Sequence, residues 1–119
     1  MRENIVKIKS FAFAVRIVRL YQFLCNERRE FVLSKQLLRS GTSVGAMVRE
    51  AEHAETKADF KHKMGIAQKE INETIYWLEL LKETDYLTIE QFESIHADAI
   101  EIIKLITAII KTTKSNINN

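Results

Sequence analysis

Two Glu-x-x-His motifs are the residues of this chain whose types and spacing come closest to a chemical site. Glu50 and His53 form the first motif, and Glu93 and His96 form the second. In helical bundles, two such motifs hold a pair of iron ions together with one glutamate from each remaining helix. The chemistry to consider first is therefore that of a di-iron centre inside a bundle.

The order of the predicted helices separates these two motifs. His53 lies near the end of the second predicted helix and His96 near the start of the fourth, and these helices run parallel in an up-down-up-down bundle. A rise of 1.5 Å per residue puts the two imidazoles roughly 25–30 Å apart. The first helix also has no interior glutamate. We therefore predict surface histidines, no metal and no cofactor, with a zinc site between His53 and His62 as the weak alternative.

Other candidates for catalysis are few. Cys25 lies on or beside an apolar stripe, which favours a buried, inert thiol over a nucleophile. Residues 40–45 contain two glycines among Ser and Thr, but their spacing is not that of a Walker phosphate loop. Arg49 and His53 approach the arginine–histidine pair of some helical nucleases, although the spacing differs. We predict no catalytic residues, and therefore no enzyme.

Composition favours one helical domain spanning residues 1–119. The chain has 119 residues, 46% of them hydrophobic, with no proline and only three glycines. An all-β fold would need many more turn residues. The single cysteine is consistent with a reducing compartment, and the N-terminus lacks a signal-peptide core. The most apolar stretch, 100–110, is interrupted by Glu101 and Lys104, so we expect no membrane association and a cytoplasmic protein.

Hydrophobic periodicity predicts an antiparallel up-down-up-down four-helix bundle. The first nine residues read as an extended arm, Ser10 as an N-cap, and Phe11, Val15 and Val18 as a stripe of the first helix. Neighbouring apolar residues widen this stripe, which suggests that the first helix is buried on more than one side. Thr56 and a Thr88–Gln91 capping box start the last two helices, and the polar tail from 112 is expected to fray. The predicted helices span about residues 10–27, 32–54, 57–83 and 89–112.

Two glycines inside the second predicted helix suggest a close helix contact. Gly41 and Gly45 each cost roughly 1 kcal/mol relative to alanine in a helix interior. With Ser40, Ser43 and Ala46 they form a patch of small residues that lets another backbone approach. We favour close packing inside one subunit, with a contact between subunits as the alternative.

Charge is distributed unevenly although the net charge is only +2. Residues 1–49 contain ten Lys and Arg against three acids, which gives +7, whereas residues 50–119 contain eight Lys against thirteen acids, which gives −5. The two halves could therefore attract each other, within or between subunits, or the first half could bind an anionic partner.

Basic residues of the first two helices form the candidate nucleic-acid-binding surface, because such a stripe suits a phosphate backbone. Ordinary surface charge explains them equally well. In the acidic half, Lys69, Glu70 and Glu73 are candidates for an ion-pair network, and Trp77 for a core or subunit contact. The candidate nucleic-acid-binding residues are Lys9, Arg16, Arg19, Lys35, Arg39 and Arg49.

Two long motifs resemble those of the four-helix bundle proteins encoded in 23S rRNA intervening sequences. Residues 31–46 read FVLSKQLLRSGTSVGA, and residues 58–81 read ADFxxKMxIAxKExxETxYWLxLL. The resemblance extends from about residue 9 to residue 110 and implies a bundle that assembles into a ring, a homopentamer. The chain is also similar to the accessory protein of diversity-generating retroelements, a basic barrel linked to nucleic acid. Neither resemblance implies enzymatic activity, and Met47 departs from the Asn of many family members.

The leading hypothesis is a non-enzymatic, oligomeric bundle that binds RNA or DNA through its basic first half. The rival hypothesis is a scaffold in which the basic and acidic halves pair with each other or with another protein.

Overall fold

The computed structural model describes the backbone from Arg2 to Asn118 and the side chains of residues 2–113. Within this range the chain forms four α-helices and no strand. Their lengths and order confirm the all-α prediction. The helices are α1 (Arg2–Asn26), α2 (Leu33–Glu52), α3 (Lys57–Glu83) and α4 (Ile89–Asn118).

Contacts between the helices follow the order of the chain. Each helix packs on the next and α1 also packs on α4, whereas within the described residues no Cα atoms of the diagonal pairs lie within 8 Å of each other. The contact between α1 and α4 is the least extensive of the four. Short turns between consecutive, adjacent helices make the bundle antiparallel, which confirms the up-down-up-down topology. The bundle measures 51 × 21 × 19 Å.

The core runs the length of the bundle and takes aliphatic and aromatic side chains from every helix. Burying each such side chain stabilises the fold by about 1.5–3 kcal/mol. The largest fully buried side chains include Phe13, Ile17, Leu24, Leu37, Val44, Met64, Ile71, Leu78, Leu81, Ile102 and Ile106.

The start of α1 differs from the prediction. The helix begins at Arg2, not at position 10, and there is no extended arm. Val6 and Ser10 are each 1% exposed, so the first three turns already face the core. Ser10 lies inside the helix, and its hydroxyl donates to the carbonyl of Lys7 at 3.3 Å instead of capping it. Because a polar serine occupies this core position, the apolar residues of the first turns do not show a clear helical period in the sequence.

The core face of α1 also differs from the prediction. Phe13 and Ile17 are buried, whereas Phe11, Val15 and Val18 are 53%, 46% and 38% exposed. Both sets recur with helical spacing, and they lie on opposite sides of the helix. The stripe predicted to enter the core therefore faces outward.

The later helix boundaries lie close to the predicted ones. Thr56 caps α3 by accepting from the backbone N–H of Asp59 at 3.0 Å. Thr88 and Gln91 form the predicted reciprocal capping box of α4, at 2.9 and 3.1 Å. The backbone of α4 stays helical to Asn118, beyond the predicted end at 112. Of the tail predicted to fray, the final residue lies outside the described residues.

A buried glutamate in the turn between α1 and α2 starts α2. The Glu30 carboxylate accepts from the backbone N–H groups of Val32, Leu33 and Ser34 at 3.0, 2.8 and 2.7 Å, and the residue is only 7% exposed. Burial alone would raise the pKa of Glu30, but the hydrogen bonds from these N–H groups outweigh it and lower the pKa. This carboxylate fixes the turn that brings α2 back along α1.

The two glycines of α2 let α1 approach closely. A Cβ atom at Gly41 would lie 2.7 Å from Cγ1 of Ile17, and one at Gly45 would lie 3.2 Å from the carbonyl oxygen of Ser10. The favoured interpretation, close packing inside one subunit, therefore accounts for both glycines.

Candidate nucleic-acid interface

The six candidate nucleic-acid-binding residues fall into three groups in the structure. The first group, Lys9 and Arg16, lies in the seam between α1 and α4. The Lys9 Nζ is 3.1 Å from a Glu101 carboxylate oxygen, and the Arg16 guanidinium is 2.6 Å from Asp98. Arg16 also donates to the Ser94 hydroxyl at 2.9 Å. Both cations are occupied by carboxylates of the same chain, which leaves them poorly suited to phosphates.

The second group lies on the outer face of α2. Lys35, Arg39 and Arg49 follow 4-3-4-3 spacing through Thr42 and Ala46, so one side of the helix carries all five residues. Lys35 and Arg49 are exposed and have no carboxylate within 4 Å among the described residues. Fourteen residues at 1.5 Å each separate them by about 21 Å. The small residues between them leave the middle of this face open.

Arg39 belongs to a network between α2 and α3. Its guanidinium lies 2.8 Å from Glu70 and 2.5 Å from Glu73, and the Trp77 indole N–H donates to Glu73 at 2.9 Å. The Trp77 hydrogen bond and then the Arg39 hydrogen bond lower the pKa of Glu73. The hydrogen bonds to Glu73 and then to Glu70 raise the pKa of Arg39. The predicted Glu70 and Glu73 pairing thus occurs inside one subunit, while half of the Arg39 side chain remains exposed.

Arg19 forms the third group, alone on α1. Its guanidinium is 3.5 Å from the Gln22 side chain and has no carboxylate within 4 Å among the described residues. It lines an open groove of about 660 Å3 between α1 and α4, together with Leu20, Phe23 and Glu90. Arg19 therefore lies on a different helix from Lys35, Arg39 and Arg49 and is not part of their stripe.

The remaining interface candidates lie on α3. Lys69 is exposed on its outer face, beside Gly65, and forms no ion pair among the described residues. Trp77 is partly buried against the core and meets Tyr76 edge-on, with ring centroids 5.0 Å apart. Trp77 thus packs within the subunit, and its indole N–H is already used by Glu73.

Most ion pairs join the basic half to the acidic half. Among the described residues, five of seven connect residues 1–49 to residues 50–119, and all are partly exposed. Exposed pairs contribute about 0.2–1 kcal/mol each, so they adjust the packing more than they drive it. The asymmetry of charge is therefore partly neutralised inside the subunit. The five pairs are Lys7–Glu52, Lys9–Glu101, Arg16–Asp98, Arg39–Glu70 and Arg39–Glu73.

The Glu-x-x-His motifs have other neighbours. Glu50 pairs with Lys63 at 3.2 Å, and the His96 ring stacks on Phe92 at 4.7 Å. Nowhere in residues 2–113 do three or more His, Cys, Asp or Glu side chains come together in a way that could hold a metal ion. Cys25 is half-buried, with its Sγ 3.8 Å from the Ser34 hydroxyl.

The feature that sequence reasoning missed is the outer stripe of α1, defined here as five exposed apolar residues opposite the core. The widened apolar pattern of the first helix was the available signal, because a helix that is apolar on two sides needs two partners. The stripe comprises Ile5, Ile8, Phe11, Val15 and Val18.

Fold and surface together define the class of this protein: a small all-α four-helix bundle in which most ion pairs of the described residues join the basic half to the acidic half. Within the described residues no helix is both long and apolar enough to cross a membrane. A model of the 23S rRNA-intervening sequence protein family matches residues 2–108, and the chain belongs to this family.

A solved structure supports the same assignment. The chain is similar to a Bacteroides thetaiotaomicron protein of unknown function from the S23 ribosomal protein family. The two sequences are 63% identical over 93% of this chain and 99% of that chain, and the TM-score is 0.92. No curated protein matches the chain.

Proposed function

We propose that this chain is a non-enzymatic, cytoplasmic homo-oligomer that binds RNA or DNA through the outer face of α2. The observation that carries the proposal is the pair of exposed cations Lys35 and Arg49, which lack carboxylate partners among the described residues. Arg39 lies between them and keeps half of its side chain exposed. The pentamer implied by the family resemblance would repeat this face around a ring.

The physical basis is the release of counterions from phosphates. Cations spaced along about 21 Å can contact several phosphates of one strand or of two strands across a groove. Lys9 and Arg16 drop out of the proposed set because they lie in the α1–α4 seam, away from the outer face of α2, and pair there with Glu101 and Asp98. The small side chains of Thr42 and Ala46 let a phosphate backbone approach the helix.

Fluorescence anisotropy against structured RNA and duplex DNA, at about 50 to 200 mM salt, tests the proposal. Lys35→Glu and Arg49→Glu should each weaken binding and reduce the slope of log K against log salt by about 1. Lys111→Glu is the matched control, because it makes the same charge change on an exposed residue of α4. Absence of binding by the native protein at 50 mM salt, or equal losses with the control, would refute nucleic-acid binding.

A scaffold is the second candidate, and the ion pairs between the two halves favour it. Five such pairs already use charges that a phosphate partner would need. Reversing Lys35 and Arg39 together separates the candidates. A changed mass by multi-angle light scattering, with nucleic-acid binding unaffected, supports the scaffold. Lost binding at an unchanged mass supports the nucleic-acid proposal.

A further inference from the structure

The outer stripe of α1 is an apolar surface that the subunit itself does not cover. Its five residues are between 38% and 70% exposed, and Ile8 is the most exposed of them. The stripe extends from Ile5 to Val18, or about 20 Å of helix. Contiguous apolar surface of this kind marks an interaction site more often than an ordinary solvated face.

The charges around the stripe indicate what covers it. Arg19 lies at its C-terminal end, and the Arg49 guanidinium lies 5.8 Å from the Phe11 ring centroid at its middle. Neither cation has a carboxylate within 4 Å among the described residues. In a symmetric contact of the stripe with itself, the Arg49 guanidinium near the middle of the stripe would face the same guanidinium of the second copy whichever way that copy points, which disfavours such a contact.

The first turns of α4 carry the opposite charge and an exposed apolar residue. Ile89 is 66% exposed. Glu90 and Glu93 are exposed and have no cation within 4 Å among the described residues. Ala97, one turn further, is also exposed and small enough for a second helix to approach. This acidic surface complements the basic, apolar surface of α1.

Ion pairs inside the subunit fix the relative heights of these two surfaces. Arg16 contacts Ser94 and Asp98, so Arg19 lies at the height of residues 90–94 of the antiparallel α4. In a second copy that points in the same direction, Arg19 would therefore meet Glu90 and Glu93. In a reversed copy, the same residue would meet the later part of α4, where Glu101 already pairs with Lys9 and where Lys104 and Lys111 also lie.

We propose that the outer stripe of α1 packs against the first turns of α4 in a second copy pointing in the same direction, with Arg19 facing Glu93. This inference rests on the proposed homo-oligomer and names its contact. The contact is heterologous, because each copy uses two different surfaces. Since α1 and α4 are adjacent corners of the bundle, their outer faces differ by roughly a right angle, which turns successive copies into a ring instead of a straight filament.

Multi-angle light scattering of Val15→Asp and Val32→Asp tests the apolar part of the contact. Both substitutions exchange the same two residue types at exposed positions, but Val32 lies off the stripe, 73% exposed at the start of α2. We expect Val15→Asp to raise the dissociation constant of the assembly about tenfold or more, and Val32→Asp to leave it unchanged. Circular dichroism checks that each variant is as helical as the native protein. Equal assembly by both variants would overturn the inference.

A charge exchange tests the partner and the orientation. Arg19→Glu and Glu93→Arg should each weaken assembly, and the double variant should recover most of the loss, because it restores one ion pair with reversed polarity. Additive losses in the double variant would contradict the proposed pairing.

Two further outcomes separate this inference from the proposed function. If the native protein is an oligomer and Val15→Asp leaves its mass unchanged, the proposed contact is refuted, but the homo-oligomer and nucleic-acid binding are not. A monomeric native protein would sink both the contact and the homo-oligomer, while anisotropy still decides nucleic-acid binding. Binding of the native protein, but not of Val15→Asp, to phosphatidylcholine–phosphatidylserine vesicles, with equal masses in solution, would assign the stripe to a membrane surface instead.

Discussion

α1 meets its two neighbours in different ways. Against α2, the close approach depends on shape, because Gly41 leaves room only for the Ile17 side chain and Gly45 only for the backbone of Ser10. Against α4, the least extensive of the helix contacts carries the exposed ion pairs of Lys9 and Arg16, and an open groove of about 660 Å3 separates the helices at one end. Steric fit in a core tolerates little change, whereas exposed ion pairs contribute little. Substitutions in the α1–α2 seam should therefore destabilise the protein far more than substitutions in the α1–α4 seam.

The largest effect is expected from filling the α1–α2 seam. The Cβ of a Gly41→Ala variant would lie within 3.0 Å of three side-chain atoms of Ile17, which is fully buried. Overpacking of this kind costs about 1–3 kcal/mol, and the gain in helix propensity of about 1 kcal/mol offsets part of it. We expect a net loss of up to about 2 kcal/mol in the free energy of unfolding, measured by urea denaturation.

A double variant identifies the cause of that loss. Ile17→Ala removes the atoms that the new Cβ would meet, so Gly41→Ala should no longer destabilise the protein in that background. Because Ile17→Ala alone leaves a cavity, the stability of the double variant is compared with that of the Ile17→Ala variant, not with that of the native protein. A Gly41→Ala penalty that persists without the Ile17 side chain would refute the steric account of the seam.

The Glu30 cap should give the next largest effect, because it fixes the turn from α1 into α2. Glu30→Gln keeps the shape but removes the charge that three backbone N–H groups share. We expect a loss of about 1–2 kcal/mol near neutral pH. Thermal unfolding followed by circular dichroism measures it, with Gln91→Ala, which removes one arm of the neutral cap of α4, as the comparison.

The same carboxylate predicts a pH dependence of stability. The pKa of Glu30 is lowered in the folded protein, because the backbone hydrogen bonds outweigh its burial. The stabilisation is therefore fully present above the unfolded-state pKa of about 4.3 and is lost as the pH falls through the folded-state pKa. Glu30→Gln should show a shallower decline of stability below pH 4.3 than the native protein. Parallel declines in the two proteins would argue against the cap.

Sequence patterns predicted the fold well because the apolar residues of α2, α3 and α4 recur with helical spacing and because α3 and α4 have recognisable caps. They failed on α1, where Phe11 and Phe13 belong to two stripes of equal period, and only the packing of α2 decides which one is buried. Ser10 in the core and Phe11 on the surface reverse the usual preference. An interface that covers the outer stripe would explain that reversal.

The candidate site was predictable only as far as one helix extends. Helical spacing correctly grouped Lys35, Arg39 and Arg49 on one face of α2, since that depends on local geometry alone. Which cations are neutralised depends on the register between helices. Arg16 contacts Asp98 because of the relative position of α1 and α4 along their axes, and no local sequence pattern determines that position.

A glycine outside the seams gives a smaller effect of opposite sign. Gly65 lies on the outer face of α3, and a Cβ atom added there would meet nothing within 4 Å. Gly65→Ala should therefore raise the free energy of unfolding by about 0.5–1 kcal/mol, through helix propensity and a less flexible unfolded chain. Urea denaturation beside Gly41→Ala separates this intrinsic term from steric conflict, and a loss of stability at Gly65 would show that the α3 surface is not open.

The smallest effect should come from the α1–α4 seam. Arg16→Ala removes the contacts to Asp98 and Ser94, but both members of the ion pair are more than 40% exposed. We expect a loss of about 0.2–1 kcal/mol that shrinks further as salt rises from 0.05 to about 0.5 M. Lys104→Ala, exposed on α4 and unpaired among the described residues, is the control. A loss of stability for Arg16→Ala as large as that for Gly41→Ala would mean that the ion pairs stabilise the α1–α4 seam as much as steric fit stabilises the α1–α2 seam. The proposed difference between the two seams would then be wrong.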